Sequence, residues 1–418
     1  MNIKTYIRDI GTKALAASRK MAILTTRQKV AIVRAMADEL EARRTDIIAA
    51  NKADLEAAAA AGMSGPMLDR LTLTDARFRA MTEGLRTVAA LPDPVGKVIK
   101  RTTRPNGMRI EKRRVPLGVV AIIFESRPNV TADAASLCIK TGNAVILRGG
   151  KEAIRSNKAI ADALQAGGAK KGMPQDAVQF IDVTDHKAVN ELVGLVGYVD
   201  VVIPRGGERL VRAVVEHARI PVLKHYKGVC HVYVDKKAKQ AQALKILDNA
   251  KCQRPSTCNA AETLLVDRAI AKTFLPKVAA WAVKKGVELR GDEVVREYVP
   301  EAVPATGEDW YAEYLSLTIS VKVVDGVGAA IDHINTFGSH HSDAIVTEDV
   351  EAAERFLDEV DSAAVYHNVS TRFTDGGEFG MGAEMGVSTD KFHARGPMGL
   401  EELTSYKWVV RGEGQLRG

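Results

Sequence analysis

The cysteine at position 258 lies in a segment whose residue types suit nucleophilic chemistry. It occurs in Gln-Arg-Pro-Ser-Thr-Cys-Asn-Ala, residues 253–260, between a helical pattern and the strand-like run Glu262–Val266. Pro255 ends the helix, so Cys258 is expected in a short polar loop near the cation of Arg254. Such a setting favours the thiolate, the nucleophilic form of cysteine. These features make Cys258 a candidate nucleophile, but taken alone they do not outweigh a structural role.

The other three of the four cysteines have no comparable setting. Cys138 lies on the apolar face of a predicted helix and Cys230 lies inside a predicted strand, where cysteine usually packs as a small hydrophobic residue. Cys252 ends a predicted helix. No C-x-x-C pair and no Cys/His grouping at zinc spacing occurs, so the sequence indicates neither a disulfide framework nor a metal site.

Two glycine pairs occur where a predicted strand is followed by a helix. Arg148 and Lys151 flank the first pair, and the second is Gly206-Gly207. Backbone N–H groups at such turns bind anions, and nearby cations strengthen the binding. Either pair alone is compatible with ordinary turn glycines, whereas two pairs in one domain favour a phosphate-binding crevice. Because the familiar nucleotide-binding glycine motifs are absent, a dinucleotide would be held in another way.

The elements expected to position these residues form two α/β series. From Gly118 to Ala218, apolar strand-like runs alternate with helical patterns, which is typical of parallel strands covered on both faces. A second series runs from about Val229 to His367. The sequence therefore predicts an α/β fold with two doubly wound domains. Amphipathic helices are predicted ahead of them, between Gln28 and Ala60.

Two further segments predict an oligomerisation arm. Asn106-Gly107 divides the basic run Arg101–Arg114 into two extended halves, which is a strong hairpin signal. Leu403–Arg411 has the pattern of a final strand. Both would leave unpaired backbone edges in a monomer, so we expect them to pair with a neighbouring subunit.

Composition narrows the class of protein. The 418 residues are 46% hydrophobic and carry a formal charge of +7, but aromatic residues make up only 5%. Basic residues are distributed along the chain, which disfavours nucleic-acid binding and is compatible with an anionic small molecule or with a merely solvated surface. No stretch is apolar enough for a membrane helix, and no signal sequence is apparent, so we expect a cytoplasmic protein.

Four blocks carry a resemblance to a known family. They are residues 253–260, 333–345, 393–401 and Phe124–Asn129. Together they resemble the gamma-glutamyl phosphate reductases, the glutamate-5-semialdehyde dehydrogenases of proline biosynthesis, within the aldehyde dehydrogenase superfamily. The match runs nearly end to end. The resemblance implies an NADP-binding domain over 1–100 and 116–228, a catalytic domain over 229–368, and an oligomerisation arm over 101–115 and 398–418.

The resemblance also implies roles for individual residues. Cys258 corresponds to the nucleophile that forms a thioester. Ser126 stands where ordinary aldehyde dehydrogenases have an oxyanion-binding asparagine, and the Cys258 backbone N–H is a second candidate donor. Arg148 and Lys151 lie where the superfamily contacts the adenosine ribose, so two cations imply NADPH. The superfamily's Glu-Leu-Gly-Gly-Lys block, which holds a water-activating base, appears as Lys224–Gly228 without the glutamate.

The implied activity is NADPH-dependent reduction of L-glutamyl 5-phosphate to L-glutamate 5-semialdehyde and phosphate. Candidate substrate-binding residues in the similar blocks are Arg127, His340, His341, Asp343 and Arg395. We expect a homodimer or homotetramer, with functional coupling to glutamate 5-kinase left open, and no metal, nucleic-acid or membrane partner. The alternatives are a non-phosphorylating NAD(P) aldehyde dehydrogenase and a catalytically silent α/β protein or RNA-binding module.

Overall fold

The computed structural model describes residues 2–417. Residues 1 and 418, the outer limits of the predicted NADP-binding domain and arm, lie outside the described residues. The chain divides into two compact units: unit 1 is Met1–Lys224, Gly380–Gly386 and Met398–Gly418, and unit 2 is His225–Phe379 and Val387–Pro397. Within the described residues, no helix is long and apolar enough to cross a membrane.

Unit 1 begins with packed amphipathic helices. Their bounds are α1 (Ile3–Met21), α2 (Thr26–Ala42), α3 (Arg44–Ala60), α4 (Gly65–Leu71) and α5 (Asp75–Ala90). A capping box between Thr25 and Gln28 fixes the start of α2. The Thr25 side chain accepts from the backbone N–H of Gln28, and the Gln28 side chain accepts from the backbone N–H of Thr25. The buried face of α2 includes Ile32, Met36 and Leu40, as their helical spacing predicts.

The rest of unit 1 is built on strands and covering helices. The strands are β1 (Val98–Thr103), β2 (Arg109–Pro116), β3 (Val119–Phe124), β4 (Ala144–Arg148), β5 (Val178–Phe180) and β6 (Val201–Arg205). The helices are α6 (Asn129–Lys140), α7 (Ile154–Ala169), α8 (Lys187–Val193) and α9 (Glu208–His217). The parallel sheet has the order β5-β4-β3-β6. Successive strands are added on one side of β3 up to β5 and then on its other side with β6, so the switch point lies between β3 and β6, where ligands of doubly wound sheets usually bind.

Unit 2 is a second parallel α/β layer. Its strands are β7 (Cys230–Val234), β8 (Ala261–Asp267), β9 (Glu288–Gly291), β10 (Val303–Pro304), β11 (Thr318–Val324), β12 (Ser342–Val346), β13 (Ala364–His367) and the antiparallel pair β14 (Val387–Ser388) and β15 (Gly396–Pro397). Its helices are α10 (Gln240–Cys252), α11 (Arg268–Lys285), α12 (Glu293–Tyr298), α13 (Gly326–Phe337) and α14 (Val350–Glu359). The sheet order is β10-β9-β11-β8-β7-β12-β13. Both α/β layers agree with the predicted fold class.

The predicted arm segments form a separate antiparallel sheet within unit 1. β1 pairs with β2 around the Asn106-Gly107 turn, and β16 (Thr404–Arg411) pairs with the other edge of β2 along its whole length. The hairpin and the final strand are thus confirmed. Both pair with β2 in the same chain, so β1 and β16 are the edge strands of this three-stranded sheet, and pairing with a neighbouring subunit stays a prediction. Tyr406, Trp408 and Val410 on β16 remain 49%, 58% and 53% exposed.

Candidate functional site

The loop that carries Cys258 is held tightly at its C-terminal side. Cys258 is partly buried, and the next residue, Asn259, is buried. The Asn259 side-chain amide donates to the carbonyl oxygens of Thr374 (3.0 Å) and Arg372 (3.3 Å), and Thr371 Oγ1 donates to the Asn259 carbonyl oxygen (2.7 Å). These three bonds fix the position of Asn259, and therefore of the backbone next to the thiol, because they satisfy both its side-chain amide and its carbonyl oxygen.

A buried ion pair connects the two elements that flank this loop. Lys251 in the last turn of α10 lies 2.5 Å from Glu262 on β8, and both side chains are fully buried. Burial raises the pKa of Glu262, while the charge of Lys251 opposes that shift. Burial likewise lowers the pKa of Lys251. Removing one partner would leave the other charge buried without compensation, so the pair holds the end of α10 and the start of β8 together on either side of the loop.

Two histidines lie next to the Cys258 thiol. β8, β7 and β12 are neighbours in the sheet, and Cys258, His225 and His341 occur in the segments that enter these strands. One ring nitrogen of each histidine and Cys258 Sγ all lie within 4.8 Å of one another. The two imidazole rings meet edge to face, with centroids 5.5 Å apart. The amino edge of the unit 2 sheet therefore brings a thiol and two proton acceptors together.

The hydrogen bond of His225 fixes its tautomer. Nδ1 lies 2.8 Å from the carbonyl oxygen of Val387, which can only accept, so Nδ1 carries the proton. The lone pair of the neutral ring is then on Nε2. His341 is fully buried, and its Nδ1 lies 2.9 Å from Ser342 Oγ. Neutral His225 can thus accept a proton at Nε2.

Gly228 allows the strand that follows His225 to pass directly over the cysteine loop. A Cβ at Gly228 would lie only 1.7 Å from the Cys258 carbonyl oxygen. The same oxygen accepts a bond from Cys230 Sγ at 3.3 Å. Burial raises the pKa of the Cys230 thiol well above its usual range, as it does for Cys138, so both behave as buried neutral groups.

A cation that the sequence did not single out also lies near the loop. Arg372 donates to the side chains of Asn259 and Gln253. Burial lowers the pKa of its guanidinium, Arg254 contributes in the same direction, and negative charge on Cys258 raises it. Arg372 is therefore a partly buried cation bonded to the residue that follows Cys258.

The predicted substrate residues do not form one cluster. His341 lies beside Cys258, whereas His340 and Arg395 surround Asp361, to which Arg395 donates at 2.8 Å. Lys391 also contacts Asp361, at 2.6 Å. These cations and the histidine form a basic group around the Asp361 carboxylate.

Two substrate candidates lie elsewhere. Asp343 is fully buried, and it accepts bonds from the backbone and Nδ1 of His231, both at 2.8 Å. Ser362 donates to its other oxygen. These contacts support the sheet and lend no support to a substrate role. Arg127 is exposed and belongs to unit 1.

Ser126 follows β3 and is tied to an acidic neighbour. Its backbone N–H and its hydroxyl both donate to Glu152, at 2.8 and 2.7 Å, and its φ of 39° is unusual for a residue with a side chain. The hydroxyl is therefore engaged in this conformation. It can donate to an oxyanion only after leaving Glu152.

Both glycine turns of unit 1 already hold a carboxylate. The Gly207 N–H, at the start of α9, donates to Glu125 at 2.9 Å across the β3–β6 switch point. A Cβ on Gly206 would lie 2.4 Å from the same carboxylate, and a Cβ on Gly150 would lie 2.0 Å from Glu152. Each turn thus has room for an anionic group because it lacks a side chain. In this structure the carboxylates of Glu125 and Glu152 lie where a bound anion would approach these turns.

The two predicted ribose-contacting cations differ in availability. Arg148 is 7% exposed and donates to the carbonyl oxygens of Gly149 (2.7 Å) and Thr184 (3.2 Å), while its buried Nε has no protein partner. Burial lowers the pKa of its guanidinium. Lys151, at the first turn of the next helix, is exposed. Lys151 is therefore the more accessible cation for a phosphate.

Three residues of these sites were not predicted from the sequence: His225, Glu125 and Arg372. His225 and Glu125 lie inside the segments Lys224–Gly228 and Phe124–Asn129, where their residue types alone do not single them out, and Arg372 lies outside the similar blocks. Strand order, which brings distant segments together, is the information that would have identified them.

Comparisons with known proteins agree with this architecture. The profile described as "Aldehyde dehydrogenase family" matches residues 4–294. A gamma-glutamyl phosphate reductase of Sulfurihydrogenibium sp. is 53% identical over 100% of this chain and 95% of the relative, and one of Mesorhizobium japonicum is 53% identical over 98% and 96%. The crystal structure of gamma-glutamyl phosphate reductase from Thermotoga maritima superposes with a TM-score of 0.97, at 47% identity, covering 99% of this chain and 100% of that one.

Proposed function

The chain belongs to the gamma-glutamyl phosphate reductases of the aldehyde dehydrogenase family, and we propose that Cys258 carries the acyl group in its reaction. The reaction is the reduction of L-glutamyl 5-phosphate to L-glutamate 5-semialdehyde and phosphate, a step of proline biosynthesis. The observation that supports Cys258 is its position beside two histidines at the end of an anchored loop.

The proposed first half-reaction forms a thioester. His225 accepts the Cys258 thiol proton at Nε2, because its Nδ1 is committed to the Val387 carbonyl oxygen. The thiolate attacks the acyl carbon of L-glutamyl 5-phosphate, and the tetrahedral oxyanion collapses with loss of phosphate. The proton held by His225 is available to the departing phosphate. Candidate oxyanion donors are the Cys258 N–H and Ser126, whose hydroxyl must first leave Glu152.

The second half-reaction needs a nicotinamide cofactor, which the aldehyde dehydrogenase family uses. When bound, NADPH supplies the hydride that reduces the thioester. The hemithioacetal on Cys258 then releases the aldehyde and regenerates the thiolate. We assign cofactor binding to unit 1, with the amides of Gly206 and Gly207 directed at the phosphates. Lys151, supported by Arg148, is suited to the 2′-phosphate that distinguishes NADPH from NADH.

The basic group around Asp361 is proposed to hold an anionic end of the substrate. Arg395 and Lys391 together provide more positive charge than one carboxylate neutralises, and His340 adds a ring nitrogen beside the same carboxylate. A carboxylate or phosphate could therefore bind there with charge-assisted hydrogen bonds. Arg127 and Asp343 remain predictions from the resemblance alone.

We further propose that the sheet of β1, β2 and β16 forms an oligomerisation arm in a dimer or tetramer. The large apolar side chains exposed on β16 support this assignment, since a monomer gains nothing from presenting them to water. Cytoplasmic location, expected from the sequence pattern, and coupling to glutamate 5-kinase, suggested by the resemblance, stay predictions.

Phosphate dependence tests the proposed chemistry. With L-glutamate 5-semialdehyde and NADP, NADPH formation should require inorganic phosphate, because phosphate must cleave the thioester. A histidine base could also activate water, so NADPH formation without phosphate would favour the non-phosphorylating alternative.

Cys258→Ala should abolish turnover while NADPH binding and the unfolding transition stay close to those of the unsubstituted enzyme. Cys252→Ala is the matched control, because Cys252 is also partly exposed but ends α10. Substantial turnover by Cys258→Ala would remove this cysteine from the mechanism.

A further inference from the structure

The cluster of His225, Cys258 and His341 has the donor set of a transition-metal site. It offers one sulfur and two imidazole nitrogens, all within 4.8 Å of one another. Thiolate and imidazole are preferred ligands of Zn²⁺, whereas Mg²⁺ and Ca²⁺ prefer oxygen. No carboxylate belongs to this group, so its chemistry selects against the hard cations.

The geometry needs only a small adjustment to enclose a cation. With Zn–S near 2.3 Å and Zn–N near 2.0 Å, ligand atoms of a tetrahedral site lie roughly 3.5 Å apart. Contraction from at most 4.8 Å therefore requires movements of about 1 Å, which rotation of the partly buried Cys258 side chain can provide while His225 keeps its bond to Val387. Three protein ligands leave the fourth position to water.

An independent observation supports metal binding by His225. Its Nδ1–H donates to the Val387 carbonyl oxygen at 2.8 Å. Metal-bound histidines characteristically donate their other ring N–H to a carbonyl or carboxylate, which orients the ring and fixes the tautomer. The structure therefore presents Nε2 of His225 in the state that a metal requires.

We propose that His225, Cys258 and His341 bind one Zn²⁺ per chain and that this ion blocks the Cys258 thiol. Binding depends on the three side chains alone. Blocking matters for turnover only if Cys258 is the nucleophile, so that consequence rests on the proposed function.

Cobalt is a spectroscopic probe of this site. The full-length enzyme, purified with chelator, should show thiolate-to-cobalt charge transfer and the visible bands of tetrahedral Co²⁺ at one equivalent, and Zn²⁺ should displace them. Cys258→Ser should abolish the charge transfer, and His225→Gln should weaken Zn²⁺ binding by more than the roughly 10- to 100-fold cost of losing a supporting contact. Cys252→Ser should bind as the unsubstituted chain does.

Thiol labelling provides a second measurement that does not depend on the stability of the histidine variant. In the Cys252→Ser background, one equivalent of Zn²⁺ should slow alkylation of Cys258 by iodoacetamide, and EDTA should restore it. Charge transfer that persists in Cys258→Ser, or alkylation that Zn²⁺ leaves unchanged, would overturn the site. Normal Co²⁺ spectra with full activity in the Zn²⁺-loaded enzyme would uphold the site and contradict the proposed nucleophile.

Discussion

Replacing Gly228 with alanine should disable the enzyme through the cysteine loop. The added Cβ would lie 1.7, 2.5 and 2.8 Å from the carbonyl oxygen, carbonyl carbon and Cα of Cys258, and side-chain Cβ atoms essentially never approach other atoms within 3.0 Å. The loop or the strand entry must therefore separate by at least 1.3 Å, the difference between 3.0 and 1.7 Å. The obstructing atoms are backbone, so no rotamer change relieves the clash.

The displacement is opposed by the contacts that anchor the loop. Asn259 is bonded to the Arg372–Thr374 segment, and the Cys258 carbonyl oxygen accepts from Cys230. Overpacking of this kind costs about 1–3 kcal/mol of stability. A misplacement of about 1 Å at a reacting group can cost roughly a hundredfold in rate. We therefore expect a fall of about a hundredfold in kcat/KM with a modest loss of stability.

The assay is phosphate-dependent NADPH formation from L-glutamate 5-semialdehyde, with urea unfolding measured in parallel. Gly307→Ala is the matched control, because a Cβ at Gly307 in the same unit meets nothing within 4 Å. The reasoning would be refuted if folded Gly228→Ala kept more than half of the unsubstituted kcat/KM. It would also fail if activity declined only in proportion to the unfolded fraction.

Three further changes test other parts of the structure. Lys151→Ala should raise KM for NADPH roughly tenfold to a hundredfold and leave KM for NADH nearly unchanged, since a charge-assisted contact is worth ~1.5–3 kcal/mol. If steady-state kinetics showed the same increase in KM for both cofactors, Lys151 would not contact the 2′-phosphate. Burial raises the pKa of Asp133 to about 6, so its carboxyl stabilises the fold while protonated and this contribution is lost as the pH rises through that value. Asp133→Asn should therefore be more stable than the unsubstituted protein at pH 8, by up to about 3 kcal/mol, and nearly equal at pH 4; urea unfolding that shows no such difference would exclude this carboxyl as a source of pH dependence. Deleting Leu403–Gly418 should give monomers or aggregates without activity, and a full-length protein that light scattering shows to be a fully active monomer would contradict the arm.

The fold was largely predictable because its strands are buried on both faces. All residues of β3, β4, β7 and β8 are buried, which produces the uninterrupted apolar runs that mark parallel strands. Several missed elements are short: β9, α12 and β10 span 4, 6 and 2 residues, and such segments are too brief to show a period. The longer helix α5, with 16 residues, lies beyond the region Gln28–Ala60 in which helices are predicted.

The candidate site was only partly predictable, because its residues depend on strand order. Cys258 carries local signals, a proline-ended helix and a polar loop before a strand. The proximity of His225 and His341 to Cys258 can be inferred only from the strand order β8-β7-β12, because each residue precedes one of these three strands. Hydrogen-bond partners could not be predicted from the sequence either. Ser126 was expected to donate to an oxyanion, but Glu152 accepts bonds from both its N–H and its hydroxyl.

The positions of the two sites differ with respect to their sheets, and this difference has a chemical consequence. The glycine turns of unit 1 follow β4 and β6, at the carboxyl ends of parallel strands, where backbone N–H groups and helix N-termini favour anions. Cys258, His225 and His341 precede strands β8, β7 and β12, at the amino edge of unit 2. No helix begins at Cys258, so the proton transfer proposed for this thiol depends on side chains. His225 Nε2 is the proposed acceptor, and Asn259 ties the cysteine loop to the segment that carries Arg372, whose guanidinium donates to Asn259.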